Sequence, residues 1–316
     1  MAQINDLPLE ILIQVIECCD TSRDIAALAS TSKHLYNIAL PLLYNRQLDN
    51  NDHHVTFWAA KKGIIETLRH VRRHMTLQVF ICSKKSYDTS GNFDSEKQRS
   101  NGWFWTPLHE AVKGGHFETV QFLLDNGADI NAPSLCFHDM DLGITEAKYH
   151  VDFGDRLSFE VLPLVTFSPL ITSIYYRHDR ITELLLSRGA SIQIKDVRKL
   201  QPCGTTALHI AVVNANIEAI KLLVEGGHVG PNDLDAAGFP PLVWAALHVR
   251  ADERVRSSIK TLVELGADLN CGMPSDPWLG SNHTVVTFLT KRGKADAAQE
   301  LINLGARALT DQNSTA

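Results

Sequence analysis

The chain has 316 residues, of which 44% are hydrophobic and 21% are charged, and its formal net charge at pH 7 is −6. A net negative charge disfavours general binding to nucleic acid, whose phosphates attract basic surfaces. The N-terminus shows no basic region followed by an apolar run, and no stretch reaches the ~18 consecutive apolar residues of a spanning helix. We therefore expect neither nucleic acid nor membrane among the partners.

The six cysteines, at 18, 19, 82, 136, 203 and 271, include no C-x-x-C pair and show no regular spacing of the kind found in disulfide scaffolds. Disulfide scaffolds and zinc sites show paired spacings of that kind. We interpret the cysteines as reduced thiols, which predicts a protein of the cytoplasm, the nucleus or both. Arg69, Arg72 and Arg73 form a local basic stripe, which we interpret as a solvated helix face.

The first 50 residues are predicted to form three short amphipathic helices. Pro8 marks the start of the first helix, and apolar residues recur around it at three- and four-residue steps, at Leu7, Ile11, Leu12, Val15, Ile16 and Cys19. A short second helix follows, and a Ser/Thr cap then begins a third helix that runs towards Tyr44. Three such helices bury too little apolar surface to be stable alone. This segment is predicted to need a partner.

The order of motifs in this segment resembles the F-box, whose usual form is L-P-x-E-I-L, then D-L-x-x-L, then S-K-x-L. The matching blocks are Leu7-Pro8 with Glu10-Ile11-Leu12, Asp24-Ile25 with Leu28, and Thr31-Ser32-Lys33 with Leu35. Cys18 and Cys19 stand where the family commonly has Leu. The resemblance implies docking on the Skp-type adaptor of a cullin–RING ubiquitin ligase, with contacts at Leu7, Pro8, Ile11, Leu12, Ile16 and Ile25. The alternative is that these helices only seal the repeats that follow.

From residue 54 onwards the chain repeats itself. The same 15 residues separate Leu108 from Leu123, Leu170 from Leu185, Leu208 from Leu223 and Val286 from Leu301. This spacing predicts two short antiparallel helices joined by a turn. A glycine ends the second helix of each unit and is predicted to be left-handed, at Gly127, Gly189, Gly226, Gly266 and Gly305.

These units resemble the ankyrin repeat, whose hallmark is T-P-L-H-x-A followed by a leucine pair and G-A-D-x-N. The best matches begin at Thr106-Pro107-Leu108-His109 and Thr206-Ala207-Leu208-His209. The resemblance implies that His109 and His209 form hydrogen bonds between neighbouring repeats. The predicted fold class is all-α, with an F-box-like segment at 1–48 and an ankyrin solenoid at 49–310. About six repeats are expected, near 54–76, 105–132, 167–196, 205–235, 239–271 and 284–308, the first and last being atypical.

Departures from the repeat period mark extra chain. Leu108 and Leu170 lie 62 residues apart, which leaves about 29 residues beyond one ankyrin period. This insertion, at 133–165, is apolar enough to contact a partner. The loop at 77–103 is polar and is predicted to be mobile. Residues 311–316 are predicted to be a disordered tail.

The target of the repeats is predicted to bind their concave side, where variable residues are exposed. Aromatic residues and Arg are enriched at binding hot spots. The candidates are Trp103, Trp105, Tyr175, Tyr176, Arg177, Trp244 and His248. Packing between repeats is an equal alternative for Trp105 and Trp244.

Enzymatic interpretations find little support in the sequence. There is no G-x-x-x-x-G-K-[ST], no G-x-G-x-x-G and no G-x-S-x-G motif. A metal hydrolase could use ligands within the insertion, at His138, Asp139, Asp141, His150, Asp152 and Asp155, although their spacing matches no known metal motif. We expect no cofactor, no metal and no catalytic residues. The first hypothesis is a substrate receptor of a Skp–cullin–F-box ubiquitin ligase, and the second is a ligase-independent ankyrin scaffold.

Overall fold

The helices of this protein come mainly in short antiparallel pairs, as the constant spacing predicts. The computed structural model describes residues 8–19, 22–36, 38–39, 54–74, 85–86, 104–134, 167–195, 202–235, 238–248, 253–272, 284–291 and 293–307. The predicted all-α class is confirmed, since the strands are short and lie between helix pairs. The chain divides into two compact units, Met1–Ala132 and Pro133–Ala316.

The first unit begins with helices α1, Leu9–Glu17, and α2, Ser22–Ala29. Further helical residues lie at 33–36 and 38–39. The carbonyl of Pro8 accepts hydrogen bonds from the first turn of α1, so the proline immediately precedes the helix. Ser32 accepts the backbone N–H of Leu35 at 3.1 Å, and this is the predicted cap of the third helical stretch.

Two helix pairs complete the first unit. The first pair is α3, His54–Lys62, and α4, Ile65–His74; the second pair is α5, Pro107–Lys113, and α6, Phe117–Asp125. Helix α3 contacts α5, and α4 contacts α6, so that equivalent helices stack. Helix α2 contacts α3 from the other side. The N-terminal helices and both pairs therefore share one packed body.

The second unit contains four further pairs stacked in the same way. The third pair is α7 (Pro169–Tyr175) with α8 (Asp179–Ser187), and the fourth is α9 (Ala207–Val213) with α10 (Ile217–Glu225). The fifth pair is α11 (Pro241–His248) with α12 (Glu253–Glu264), and the sixth is α13 (Val285–Lys291) with α14 (Ala295–Asn303). The first helices of successive pairs contact one another. The periodic residues Leu170, Leu208 and Leu242 are buried in these contacts, because each pair has an apolar face that only a neighbour can cover.

Short antiparallel strands precede some of the pairs. Strand β1, Lys85–Ser86, pairs with β2, Phe104–Trp105, and β3, Gln193–Lys195, pairs with β4, Pro202–Thr206. The loop predicted to be mobile at 77–103 therefore contains a paired strand, because its backbone reaches the edge of β2. The rest of that loop lies outside the described residues.

The residues that flank the long insertion pair with each other. Ser134 and Phe167 form an isolated antiparallel bridge in which each backbone N–H donates to the other's carbonyl, at 2.9 and 2.6 Å. The two ends of the insertion therefore lie side by side in the second unit. Residues 135–166 of the predicted insertion, and the predicted tail at 311–316, lie outside the described residues.

The glycine after the second helix of each pair is left-handed, with one correction. Gly127 and Gly189 have φ of 82° and 80°, as predicted. Gly226 is right-handed, and Gly227 takes the left-handed position with φ 69°. The prediction for Gly226 was wrong because the left-handed residue lies four positions after the leucine of the 15-residue spacing, and Gly227 stands in that relation to Leu223.

The fifth pair along the chain departs from the common spacing. Its buried residues Leu242 and Leu262 lie 20 residues apart, against 15 in the other pairs named above. Helix α12 accounts for most of the difference, because it has 12 residues where α10 has nine.

Candidate interaction surfaces

Helix α1 presents a line of exposed apolar side chains. Ile11 is 42% exposed and Val15 is 39% exposed, and Pro8 before them is exposed as well. Residues three and four positions apart lie on one face of a helix. Pro8, Ile11 and Val15 therefore form one continuous surface, which we name the α1 stripe. Large aliphatic residues exposed in a row are characteristic of a surface that another protein covers.

The opposite side of the same segment faces inward. Leu12 and Ile16 on α1, and Ile25 on α2, are buried within the first unit. Of the six residues predicted to contact an adaptor, these three pack against their own chain, whereas Pro8 and Ile11 are accessible. Leu7 lies outside the described residues. The predicted set mixed two faces because α1 is apolar on both, so its periodicity does not show which one is covered.

Val15 is a surface residue that the predicted set omitted. It follows Ile11 by four positions and extends the same face by one turn. The signal was present in the sequence as one of the recurring apolar positions of the first helix. Without the packed structure it could not be separated from Leu12 and Ile16, which recur with the same spacing.

Two of the tryptophans predicted to contact a target are largely enclosed by the protein. Trp105 is 2% exposed and its ring stacks on His109 with centroids 4.7 Å apart. Trp244 is 7% exposed, and its indole N–H donates to Asp235 at 2.8 Å. These contacts favour the packing alternative for both residues. Trp103 and the side chain of His248 lie outside the described part of the chain.

The turn between α7 and α8 carries the remaining candidates. Tyr175 and Tyr176 are half-buried, and Arg177 is exposed. The rings of the two tyrosines meet edge to face at 5.2 Å. Arg177 has φ 59°, a left-handed conformation that is unusual for a residue with a side chain. The turn therefore displays an aromatic pair and a guanidinium group together.

Contacts with the next helix pair hold this turn in place. The Arg177 guanidinium donates to the Asn214 carbonyl at 2.5 Å. In return, the Asn214 amide donates to the carbonyls of Ile174 and Tyr175 at 3.1 and 2.8 Å. The amide of Asn216 also donates to Ile174, at 3.0 Å. These reciprocal bonds keep the aromatic pair on a rigid support, which lowers the entropic cost of binding a partner there.

Two buried histidines, His109 and His209, lie in the first turn of the first helix of a repeat. Thr206 and His209 form a capping box, in which the Thr206 N–H donates to the ring Nδ1 of His209 at 3.2 Å. The other ring nitrogen bonds to the carbonyl of Phe239, at 3.2 Å, before the next helix pair. The predicted hydrogen bond between repeats is confirmed for His209. Thr106 and His109 form the same capping box.

Burial shifts the pKa values of two side chains in the described residues, His209 and Cys271. Burial lowers the pKa of His209, so the imidazole is held neutral. Burial, with the nearby Asp268 carboxylate, raises the pKa of Cys271 to about 11, and its thiol is therefore protonated at neutral pH. Within the described ranges, no group of three or more His, Cys, Asp or Glu side chains could hold a metal ion. The candidate ligands between His138 and Asp155 lie outside those ranges.

The basic stripe of α4 is partly occupied by contacts within the first unit. Arg69 forms a salt bridge with Glu66 at 2.6 Å. Arg72 donates from Nε to the side-chain oxygen of Asn126, at 3.2 Å, in the second helix pair. Arg73 is exposed. Arg72 thus joins neighbouring pairs, while the other two arginines lie at the surface of the helix.

Helix length and apolarity also bear on membrane association. None of the helices in the described residues is both long enough and apolar enough to cross a bilayer. The longest of the helices bounded above is α12, with 12 residues, whereas about 20 apolar residues are needed to span the hydrocarbon core.

Comparison with known families agrees with both resemblances. The family described as F-box-like matches residues 4–49. The ankyrin repeat family matches residues 104–135, and three further copies of the repeat match residues 170–273. The chain thus contains ankyrin repeats and an F-box-like N-terminal segment. Both are typically non-catalytic binding modules.

Several characterised proteins resemble parts of the chain. Mouse Rabankyrin-5 is 27% identical over 195 residues, which cover 57% of this chain and 15% of that protein. A putative ankyrin repeat protein of fowlpox virus is 30% identical over 127 residues, covering 40% of this chain and 35% of the viral protein. Human protein phosphatase 1 regulatory subunit 27 is 34% identical over 82 residues, or 24% of this chain and 49% of that protein. The chain thus spans less than half of each of these relatives.

Proposed function

We propose that this protein is the substrate receptor of a Skp–cullin–F-box ubiquitin ligase. In this proposal the F-box-like segment binds a Skp-type adaptor, and the ankyrin repeats capture a target protein. Ubiquitin transfer occurs on other subunits, and this chain supplies proximity and orientation. A receptor of this kind would act in the cytoplasm or nucleus, the compartments that the cysteine usage predicts.

The α1 stripe is the observation that carries the adaptor half of the proposal. It lies within the F-box-like match and exposes Ile11 and Val15 where a helix of a self-sufficient domain would be polar. We propose Pro8, Ile11 and Val15 as direct contacts. Leu12, Ile16 and Ile25 would then support the stripe from beneath, because they are buried in the first unit.

The target half of the proposal rests on the turn after α7. Tyr175, Tyr176 and Arg177 combine partial exposure with a rigid support from the next helix pair. Preorganised aromatic and guanidinium groups are the usual anchors of protein interfaces. We propose these three residues as part of the target surface. Trp105 and Trp244 are better assigned to packing between repeats.

A ligase-independent scaffold is the second candidate function. The observation that favours it is the inward face of α1 and α2, because helices that seal the first repeat would bury the same residues. Sealing alone does not account for the exposure of Ile11 and Val15 on the other side. Adaptor binding is therefore the property that separates the two functions.

The decisive experiment measures binding of recombinant Skp-type adaptor to the full chain by calorimetry. The test variant carries Ile11→Ser and Val15→Ser together. Because each large aliphatic side chain contributes roughly 1.5–3 kcal/mol when it is buried, we expect the dissociation constant to rise at least about 100-fold.

Leu234→Ser is the matched control, since Leu234 is 55% exposed but lies in the second unit. The control should bind the adaptor as tightly as the unchanged chain. If the unchanged chain fails to bind, or if the stripe variant binds equally well, the proposed adaptor contact is wrong and the scaffold becomes the better description.

A further inference from the structure

Residues 8–39 have two opposed apolar faces with different surroundings. The α1 stripe is open to solvent on one face. On the other, α2 contacts α3 of the first helix pair, and Leu35 and Ala39 at the end of the segment are buried. Helix α3 itself carries the buried residues Phe57, Ala59 and Ala60. The segment thus belongs to the same packed body as the first repeat.

Tyr36 touches both helices of the first pair. Its ring lies 6.0 Å from that of Trp58 on α3, with an interplanar angle of 32°. Its hydroxyl forms a hydrogen bond with the hydroxyl of Thr67 on α4. Thr67 is fully buried, so this bond satisfies a polar group that has no access to water. One side chain therefore links the N-terminal segment to two helices at once.

The far side of the first pair is held by the second pair. The ring Nε2 of His116 bonds to the carbonyl of Lys61 at 2.9 Å, and Arg72 reaches Asn126 from α4. The first repeat therefore has a neighbour on each side, and the N-terminal segment takes the place of a preceding repeat. A stacked repeat depends on its neighbours for stability, and an uncovered terminal face is a liability.

We propose that residues 8–39 are also the N-terminal cap of the ankyrin array, and that Tyr36 fixes this cap to the first repeat. A protein bound on the stripe then stabilises the first repeat, and a well-packed first repeat strengthens binding on the stripe, because such coupling is reciprocal. Capping and adaptor docking are in this case two faces of one segment rather than alternatives. The capping role is independent of the adaptor; only the coupling rests on the proposed function.

Hydrogen exchange of the full chain, read by mass spectrometry, tests the cap. Tyr36→Phe removes only the hydroxyl that bonds to Thr67. We expect amide exchange over residues 54–74 to accelerate on the order of fivefold, since a hydrogen bond to a buried group is lost. Tyr176→Phe makes the same chemical change in the second unit and should leave residues 54–74 unaffected. Acceleration confined to residues 33–36, or equal in both variants, would overturn the capping role.

The stripe should be separable from this packing. Ile11→Ser changes an exposed position, so exchange over residues 54–74 in the free chain should stay within about twofold of the unchanged chain. If Ile11→Ser accelerates exchange there as much as Tyr36→Phe does, the assignment of two independent faces is wrong.

Adding recombinant Skp-type adaptor tests the coupling. We expect exchange over residues 54–74 of the unchanged chain to slow by tenfold or more at saturating adaptor, because binding to the folded cap alone stabilises it. Adaptor that binds without slowing this exchange would refute the coupling. Adaptor that does not bind at all refutes the proposed function instead, and the Tyr36→Phe result still decides whether the segment is a cap.

Discussion

At the scale of single residues, the buried side chain of His209 has hydrogen-bond partners in two neighbouring repeats. One ring nitrogen completes the capping box with Thr206 and the other reaches Phe239 of the next repeat. Its ring also meets Trp244 edge to face at 5.2 Å. Only a neutral imidazole can accept at Nδ1 and donate at Nε2 at the same time. The stacking of these repeats therefore depends on the protonation state of one side chain.

Acidification should weaken the second unit through His209. Burial lowers its folded pKa, and the bond to Phe239 and the Asp235 and Asp233 carboxylates oppose that shift without cancelling it. In the unfolded chain the pKa is about 6.5. Below that pH the unfolded state binds a proton that the folded state does not bind. The contribution of His209 to stability is therefore complete above pH ~6.5 and is lost as the pH falls towards the folded pKa. The loss is at most about 1.4 kcal/mol per pH unit.

Urea unfolding at pH 7.5 and pH 5.5, followed by tryptophan fluorescence, measures this effect. The unchanged chain should lose more stability on acidification than His209→Gln does, because glutamine does not titrate. The loss from all other histidines is common to both proteins and cancels in the comparison. Equal losses in the two proteins would show that His209 is not the group responsible.

At the scale of elements, the turn inside a helix pair contains a left-handed residue in each of the five pairs whose turn the structure describes. Glycine fills that position in three pairs, at Gly63, Gly115 and Gly293, whereas Arg177 and Ala215 fill it in two others, with φ of 59° and 49°. A side chain in this conformation costs roughly 1–2 kcal/mol. Arg177 gains a hydrogen bond to Asn214 in compensation. The methyl side chain of Ala215 can form no such hydrogen bond.

Ala215→Gly should therefore stabilise the protein. Relief of the left-handed strain slightly exceeds the sum of two costs, the extra chain entropy that glycine loses on folding and the lost burial of the Ala215 methyl group, so we expect a gain of at most about 0.5 kcal/mol. Gly293→Ala is the matched opposite, because a Cβ there would have no atom within 4 Å and the change adds strain without a clash. It should destabilise by about 1 kcal/mol. Urea denaturation of both variants measures these shifts, and shifts of the same sign would contradict the turn argument.

At the scale of the whole molecule, the N-terminal segment is part of the repeat array rather than an appendage. A variant lacking residues 1–46 should lose more than the α1 stripe. Phe57 and Ala60 of α3 are buried in the intact first unit, and removal of the helices that contact α3 would expose this side. We expect such a variant to bind the dye anilinonaphthalene sulfonate and to lose protection over residues 54–74.

Removal of residues 311–316 serves as the control for truncation and should change neither property. If the chain without residues 1–46 keeps full protection over residues 54–74, the first repeat does not need the segment. A truncated chain could lose adaptor binding simply because its first unit no longer folds, so substitutions on the α1 stripe are the cleaner test of that surface.

Local features of the fold were predictable because they depend on near neighbours in sequence. The 15-residue spacing between leucines indicated the helix pairs, and the Thr caps and left-handed glycines marked their ends. The prediction was wrong at one glycine, Gly226, because two glycines are adjacent there and only the distance from Leu223 distinguishes them. Short-range periodicity and backbone sterics were sufficient for these features.

The sequence by itself determined the two modules, the helix pairs and the capping residues, because each is encoded within a few tens of residues by spacing and backbone preference. Only the tertiary structure decided which side of α1 is covered and that Trp105 and Trp244 pack inside their units. An apolar residue has the same local pattern whether it meets its own chain or a partner. What separates Ile11 from Leu12 is the body packed against one face of α1, and that depends on contacts between residues far apart in sequence.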